Sequence, residues 1–471
     1  MMTNTQVILL TLIAYKVALI SIGLWASRRT TSHGDFFLGG RRLGPTVAAI
    51  SASASSSSAW TLLSVSGMAY LWGLPALWLF PATLGGFVIN WVFVAPRLRR
   101  ESAANGSITL TEFLADSVEE AARPGILRLG AGIILFSFMF YIAAQFQAAG
   151  AAFANTFDIE ASVAIVLGAG VVVIYTLLGG FWAVSVTDTV QGLLMAATAA
   201  VLPVIALISV GGFQPLVEGL SALPANGPRP ATAGIAGIGF ILGTLGIGLG
   251  YPGQPHVVNR FMALRDERAV RQARVIAIAW AVIIYSGMLA LGLAGRVLYA
   301  GLADAEQVLF EAANRLISPV LAGVMIAAVL SAIMSTADSQ LLVAGSSVSH
   351  DLAGASRREY QSLARSRWVV MMISMLAVAL ALAVPDTIFN RVLFAWHAIG
   401  SALGPPLVLA LLRVRLTGRG LFRAMLAGFS LTVLLHWLPN LPDPGDAMER
   451  LLPLLVSGFI AYTQRDRGKE T

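Results

Sequence analysis

No cysteine occurs among the 471 residues, which excludes disulfides, thiolate catalysis and cysteine-held metal. Charge is scarce too: 12% of residues are charged, against about a quarter in an ordinary soluble domain. A Walker loop, a zinc-binding motif and a nucleophile elbow are all missing, so catalysis has no candidate constellation and the chain does not read as an enzyme. The alternation of period two that marks an outer-membrane barrel is also absent.

What remains is apolar. Hydrophobic residues make up 57% of the chain and the mean hydropathy is +0.78. Polar residues are confined to short stretches between apolar runs of roughly 18–28 residues, each able to cross a bilayer as a helix. Thirteen such segments are expected, near 6–26, 44–72, 75–96, 127–155, 160–179, 185–211, 233–256, 272–298, 316–349, 368–384, 388–412, 420–438 and 450–463. The fold class is therefore all-α, a polytopic membrane protein. The first run lacks a basic start and reads as a span, not a cleavable signal.

The formal charge is +7. In a membrane protein this points to arginine-rich loops and not to nucleic acid. Alternate loops sort by charge. One set holds Arg28, Arg29, Arg41, Arg42, Arg97, Arg99, Arg100, Arg260, Arg265, Arg357, Arg358, Arg413 and Arg415, while the other holds Asp304, Glu306, Glu311, Asp443 and Asp446. The positive-inside bias makes the first set cytoplasmic. With an odd number of spans the N-terminus then lies outside and the C-terminus, "QRDRGKET", inside. The polar segment containing "ITLTEFLADSVEEA" is expected to form a short helix on the cytoplasmic surface.

The segment "SASASSSSAW" (51–60) has six serines in ten residues. Low-complexity serine ordinarily marks a linker, but an apolar span continues directly from it. In hydrocarbon such hydroxyls must face protein or a water-filled cavity. They serve either as small residues for close helix packing or as neutral oxygens around a solute or ion beside an interrupted helix. A second segment, "SAIMSTADSQLLVAGSSVSHD" (331–351), favours the second use. Ser335 and Thr336 follow Ala332 by three and four positions and share its helical face. Their hydroxyls and the Ala332 carbonyl offer three oxygens to a cation, and carbonyls at Ala54 and Ser57 complete the set if the serine-rich helix unwinds there. Neutral oxygens suit a hard monovalent cation, sodium, whereas calcium would call for carboxylates.

The motifs "FFLGGRRLG", the serine-rich helix ending in Trp60, "YTLLGGFWAVSVTDTVQGLLM", "GYPGQPHVVNRFMA" and "MSTADSQLLVAGSSVSHD" follow one another in this order. Together they resemble the sodium:solute symporter family over roughly 6–463. The resemblance implies a single transporter domain in the bacterial inner membrane. Its LeuT-type core would consist of two inverted five-helix repeats, about 44–211 and 233–412, with 6–26, 420–438 and 450–463 peripheral. It implies sodium-coupled import of a small organic solute, an amino acid or small carboxylate, with sodium as the coupling ion held by Ala54, Ser57, Ala332, Ser335 and Thr336.

The resemblance also places Asp188 on the cytoplasmic sodium path, with Asp338 and Ser339 as neighbours in a second cation site; the alternative for Asp188 is a helix cap. It puts the solute near the bilayer midplane against Ser58, Trp60 and Thr61, facing Tyr141, Tyr251, Gln254 and His397. Gln145 and Gln254 read equally as hydrogen-bond staples or solute contacts. Two positions depart from the family's proline symporter: Ser56 stands where it has an aspartate, and Ile247 where it has a tryptophan. The first opens the choice of coupling ion to protons, through Asp188, Asp338 or His397. The second points away from proline as the solute. A solute sensor acting with a separate signalling partner is the reading from another functional class. Lys16, in the first span, is expected to snorkel or to pair with a neighbour.

Overall fold

The computed structural model describes residues 3–27, 39–178, 181–223, 233–352, 363–384, 386–438 and 443–466. Arg28, Arg29, Arg357, Arg358 and the start of "FFLGGRRLG" lie outside them. The described residues are helical throughout, apart from connections and one isolated parallel bridge, Leu43 with Leu264. Chain order is α1 (Asn4–Ser27), α2 (Pro45–Ser56), a π-helical turn (Trp60–Ser64), α3 (Val65–Trp72), α4 (Leu79–Val88) and α5 (Ala95–Asn105). There follow α6 (Leu110–Ala115), α7 (Arg123–Phe157), α8 (Ala161–Leu178), α9 (Phe181–Val210), α10 (Phe213–Ala222) and α11 (Gly234–Leu249). Next come α12 (Pro255–Met262), α13 (Glu267–Leu298), α14 (Val308–Leu316), α15 (Pro319–Ser346) and α16 (Leu363–Ala383). The last are α17 (Ile388–Leu411), α18 (Gly418–Trp437) and α19 (Ala447–Thr463).

Among the described residues, nine helices are long and apolar enough to cross a membrane, and Ala161–Ile174 and Trp368–Ala383 form shorter apolar helices. Their two-faced character is plain in α9. It exposes Leu193, Val201, Val204 and Ile208 while burying Asp188, Gln191 and Thr198, an apolar outer stripe at helical spacing over a polar inner one.

The serine-rich helix α2 lies at the centre. It packs against α9, α12, α13 and α15, and Ser51, Ser53 and Ser55 through Ser58 are all buried. Its hydroxyls therefore face protein, as the lipid argument requires. The long helix α15 is buried without interruption from Met325 to Leu341 and lies against α2, α7 and α9.

Among the described residues, two spans are interrupted by non-helical backbone. Helix α2 stops at Ser56, where Ser57 takes a non-helical conformation (φ −108°, ψ 61°). The second break runs through Gly250–Gln254 between α11 and α12. Here Pro252 and Pro255 each remove a backbone donor, and the bend seats tightly on α17, where a Cβ on Gly253 would meet the Gly400 backbone at 2.7 Å. The sequence reading ended this segment at 256 and placed Arg260 in a charged loop. The structure continues it as a half-helix to Met262 and buries Arg260, which is 1% exposed. A polar half-helix is invisible to hydropathy because its charge is met inside the protein.

The two broken spans meet again at one end of the bundle. Leu43 N donates to the Ala263 carbonyl (3.1 Å) and Arg265 N to the Leu43 carbonyl (3.2 Å). Arg41 clamps the same corner by donating to the Met262, Ser102 and Ser107 carbonyls. The expected short helix is α6, capped at its start: Thr109 Oγ1 accepts from Glu112 N (3.0 Å) while Glu112 Oε2 accepts from Ile108 N (2.8 Å).

Candidate functional site

At the first break the freed amides are met by side chains. Trp60 N donates to Ser58 Oγ (3.2 Å), and Ala59 N donates to Gln145 Oε1 (3.1 Å). Serine can compete in this way with the helical ladder, so the break needs no proline. Gln145 is thus a staple.

Helix α15 presents its hydroxyls to this break. Ser335 Oγ lies 3.2 Å from both the Ala54 and the Ala332 carbonyl oxygens. Thr336 Oγ1 donates to the Ser55 carbonyl at 3.0 Å. A hard cation of calcium-like size holds oxygens at roughly 2.3–2.6 Å, which puts neighbouring octahedral oxygens roughly 3.3–3.7 Å apart. The spacing of Ser335 Oγ from the Ala54 and Ala332 carbonyl oxygens is close to that value, with Thr336 the next residue on α15 and Ser57 the first residue beyond the end of α2. Ser56 Oγ is turned back onto its own helix, donating to the Ser53 carbonyl (2.9 Å).

One turn along α15 lies a second polar cluster. Ser51 Oγ donates to Asp188 Oδ2 at 2.8 Å. Ser55 Oγ lies 3.3 Å from that oxygen and 3.0 Å from Ser339 Oγ. Asp188 is therefore no helix cap. It is fully buried and forms an ion pair with Arg260 Nη2 at 3.0 Å. Ser339 Oγ accepts from the same nitrogen at 2.5 Å. Asp338 is buried beside it, with Oδ1 3.3 Å from Ser339 Oγ. A cavity lined by Ile108, Thr109, Phe181, Asn259, Arg260 and Ser339 reaches this cluster from the α6 end of the molecule.

The expected solute-facing residues gather around the two breaks. Tyr141 Oη donates to Ser58 Oγ (3.3 Å). Tyr251 Oη lies 3.0 Å from Tyr285 Oη, which in turn lies 3.4 Å from Thr61 Oγ1. Trp60 stacks on Phe389 with ring centroids 5.9 Å apart. Gln254 Nε2 is spent on the Gly250 and Trp396 carbonyls (3.1 and 2.9 Å), so its amide nitrogen is a staple too.

The α17 residue turned toward the breaks is Trp396, not its neighbour His397. Trp396 packs on Tyr251 at 4.7 Å, lies 6.5 Å from both Tyr141 and His256, and donates its indole N–H to the Ile247 carbonyl (3.1 Å). Adjacent residues on a helix point about 100° apart, and His397 is buried with neither ring nitrogen bonded among the described residues. An indole thus stands beside the position where Ile247 lacks one.

Lys16 Nζ donates to Met334 Sδ, and the neighbouring Tyr15 hydroxyl pairs with Ser331 Oγ, so α1 docks on α15 through polar contacts.

Sequence reasoning missed Arg260, Tyr285, Trp396 and Glu306. Each sits on a different element from its partners, so no local spacing marks it. Glu306 lies in the connection between α13 and α14. Its carboxylate accepts from Ile388 N (3.0 Å), Phe389 N (2.9 Å) and Ser64 Oγ (2.5 Å), joining the start of α17 to the first broken span. Burial raises its pKa above the ordinary glutamate value, and the Ser64 hydroxyl opposes that rise.

The family model for the sodium:solute symporter family matches residues 36–428. The sodium/proline symporter of Escherichia coli (strain K12) is 36% identical over 442 residues, covering 90% of this chain and 87% of the relative. The osmoregulated proline transporter of Bacillus subtilis (strain 168) is 35% identical over 468 residues, covering 96% and 93%. In structure, the fold matches a Na+-coupled sialic acid symporter in a substrate-bound outward-open state, with a TM-score of 0.79 at 18% identity over 98% of this chain and 99% of the other. A weaker match is a nucleobase-cation-symport-1 family transporter, with a TM-score of 0.57 at 13% identity over 92% and 95%. With this fold, and a family match that spans most of its length, the chain belongs to the sodium:solute symporter family.

Proposed function

We propose that this chain imports a small zwitterionic amino acid, with proline as the first candidate, together with sodium by alternating access. The observation that carries the reading is the meeting of α2 and α15, where Ser335 Oγ lies 3.2 Å from both the Ala54 and the Ala332 carbonyl oxygens. Sodium binds there, with Ser57 and Thr336 completing the shell. The ion ties the broken helix to α15 and so favours the conformation in which the solute site is complete. Such coupling requires that sodium bind one conformation better than the other. Entry down a potential of 100 mV supplies about 2.3 kcal/mol per charge.

The solute sits between the two breaks. Among the described residues, buried polar atoms without partners occur at both breaks: the donors Trp60 Nε1 and Gln145 Nε2 at the first, and the acceptor Gln254 Oε1 at the second. Unpaired buried polar atoms are rare in folded proteins, and this set matches a carboxylate at one end and an ammonium at the other. Tyr141, Tyr251 and Trp396 enclose an apolar body between them. The names of the Escherichia coli and Bacillus subtilis relatives favour proline, and the Trp396 indole beside Ile247 answers the sequence argument against it.

In this reading the chain works as one transporter domain of two inverted repeats, about 44–211 and 233–412, within thirteen spans. Its N-terminus lies outside, and the arginine-rich ends face the cytoplasm. The test is uptake of radiolabelled proline into proteoliposomes under an inward sodium gradient, an inward proton gradient or neither. Sodium-driven accumulation supports the reading. Accumulation driven by protons alone removes sodium coupling, and no accumulation of proline or any other amino acid leaves the sensor.

A further inference from the structure

Arg260 is the residue that the sequence assigns to a wet loop and that the fold buries among oxygens. All three of its guanidinium nitrogens donate. Nη2 donates to Asp188 Oδ2 (3.0 Å) and Ser339 Oγ (2.5 Å), Nε donates to Ser51 Oγ (2.9 Å), and Nη1 donates to the His256 carbonyl. Asp188 and Ser339 are the very oxygens on which a second cation would depend.

We propose that Arg260 is a tethered cation that holds the second cation position between Asp188 and Ser339, so that the chain binds and moves a single sodium ion. The proposal rests on the sodium site at Ser335 and Thr336 proposed above. Three observations support it. A guanidinium nitrogen already lies within hydrogen-bond reach of both oxygens, and a hard cation needs the same oxygens at roughly 2.3–2.6 Å. The two cannot share the place.

The charges also balance. Arg260 already supplies the counter-charge of Asp188, with which it forms a buried ion pair at 3.0 Å. A further sodium would leave a net positive charge buried in a low-dielectric interior, which is strongly unfavourable.

Finally, arginine does not shed its proton in a protein, so the position is vacated only by moving the side chain. Arg260 sits on the half-helix α12 and also lines the cavity that reaches Ser339. The guanidinium therefore shares the cavity wall with Ser339, one turn from Ser335, and withdrawal of α12 opens that wall.

The test counts sodium. Equilibrium binding of radioactive sodium to the purified full-length protein is measured for the wild type, for Arg260→Gln, and for Arg260→Gln combined with Asp188→Asn. Expected saturation is one ion per chain in the wild type, two in Arg260→Gln, and one again in the double variant. Two ions on the wild type, or one on a folded Arg260→Gln protein, overturns the proposal. No sodium on the wild type defeats the sodium-site reading instead, so the two failures are distinguishable. If Arg260→Gln does not fold, the wild-type count still decides, because a second ion is incompatible with the guanidinium in place.

Discussion

Ser335 Oγ stands 3.2 Å from the carbonyl oxygen of Ala54, a residue 281 positions earlier in the chain. This contact joins the unwound end of α2 to the middle of α15. The double variant Ser335→Ala with Thr336→Ala removes two oxygens, and one methyl group from Thr336, from helical positions that alanine favours. In the wild type, sodium at a hundred times its dissociation constant should stabilise the protein by about 2.7 kcal/mol. The double variant should lose this stabilisation, read as a thermal shift in detergent with sodium against choline. A sodium-induced shift of unchanged size would remove the site.

Glu306 gathers two backbone amides of α17 and the Ser64 hydroxyl. Truncation to Ala leaves those groups without their acceptor and should cost about 1–3 kcal/mol. Because its pKa is raised in the folded protein, the folded state binds the proton more tightly than the unfolded chain. The associated stability is fully present below the ordinary glutamate value of 4.5 and declines as pH rises through the folded pKa. Melting temperatures between pH 4 and 8 should therefore fall more steeply for the wild type than for Glu306→Gln. Parallel curves would show that Glu306 carries no such linkage.

Gly253 lies where the second break touches α17. A methyl group there would meet the Gly400 backbone at 2.7 Å, and backbone yields less readily than a side chain. Gly253→Ala should destabilise by about 1–3 kcal/mol, seen as a lower melting temperature. Gly132, with nothing within 4 Å of an added Cβ, provides the control: Gly132→Ala should not lower it.

Gln145 accepts the amide of Ala59 at the first break. Gln145→Leu should leave that buried N–H unmet and cost about 1–3 kcal/mol, whereas Gln145→Glu keeps the acceptor and should restore most of the loss. Equal melting temperatures for Gln145→Leu and the wild type would show that the break is held by other contacts.

Much of this molecule was legible before folding. Lipid tolerates few unpaired polar groups, so the positions of apolar runs and the need to bury the serines of 51–58 follow from composition alone. The spacing of Ala332, Ser335 and Thr336 placed three candidate oxygens on one helical face, because the period of a helix is fixed by its backbone. The segment "ITLTEFLADSVEEA" was also expected to hold a short helix, and α6 lies within it.

What the sequence alone determined, then, is the membrane architecture and the two segments that hold the candidate sodium oxygens. Only the tertiary structure decided which charges are buried and with whom. Arg260 reads as a loop residue because hydropathy counts its charge and ignores the partner that neutralises it, Asp188, 72 positions away and on another helix. The sequence likewise offered His397 and passed over Trp396, because the rotation of α17 against the breaks is not written in α17 alone. Burial of a charge and the facing of a side chain are properties of pairs of elements, and a linear pattern records only one element at a time.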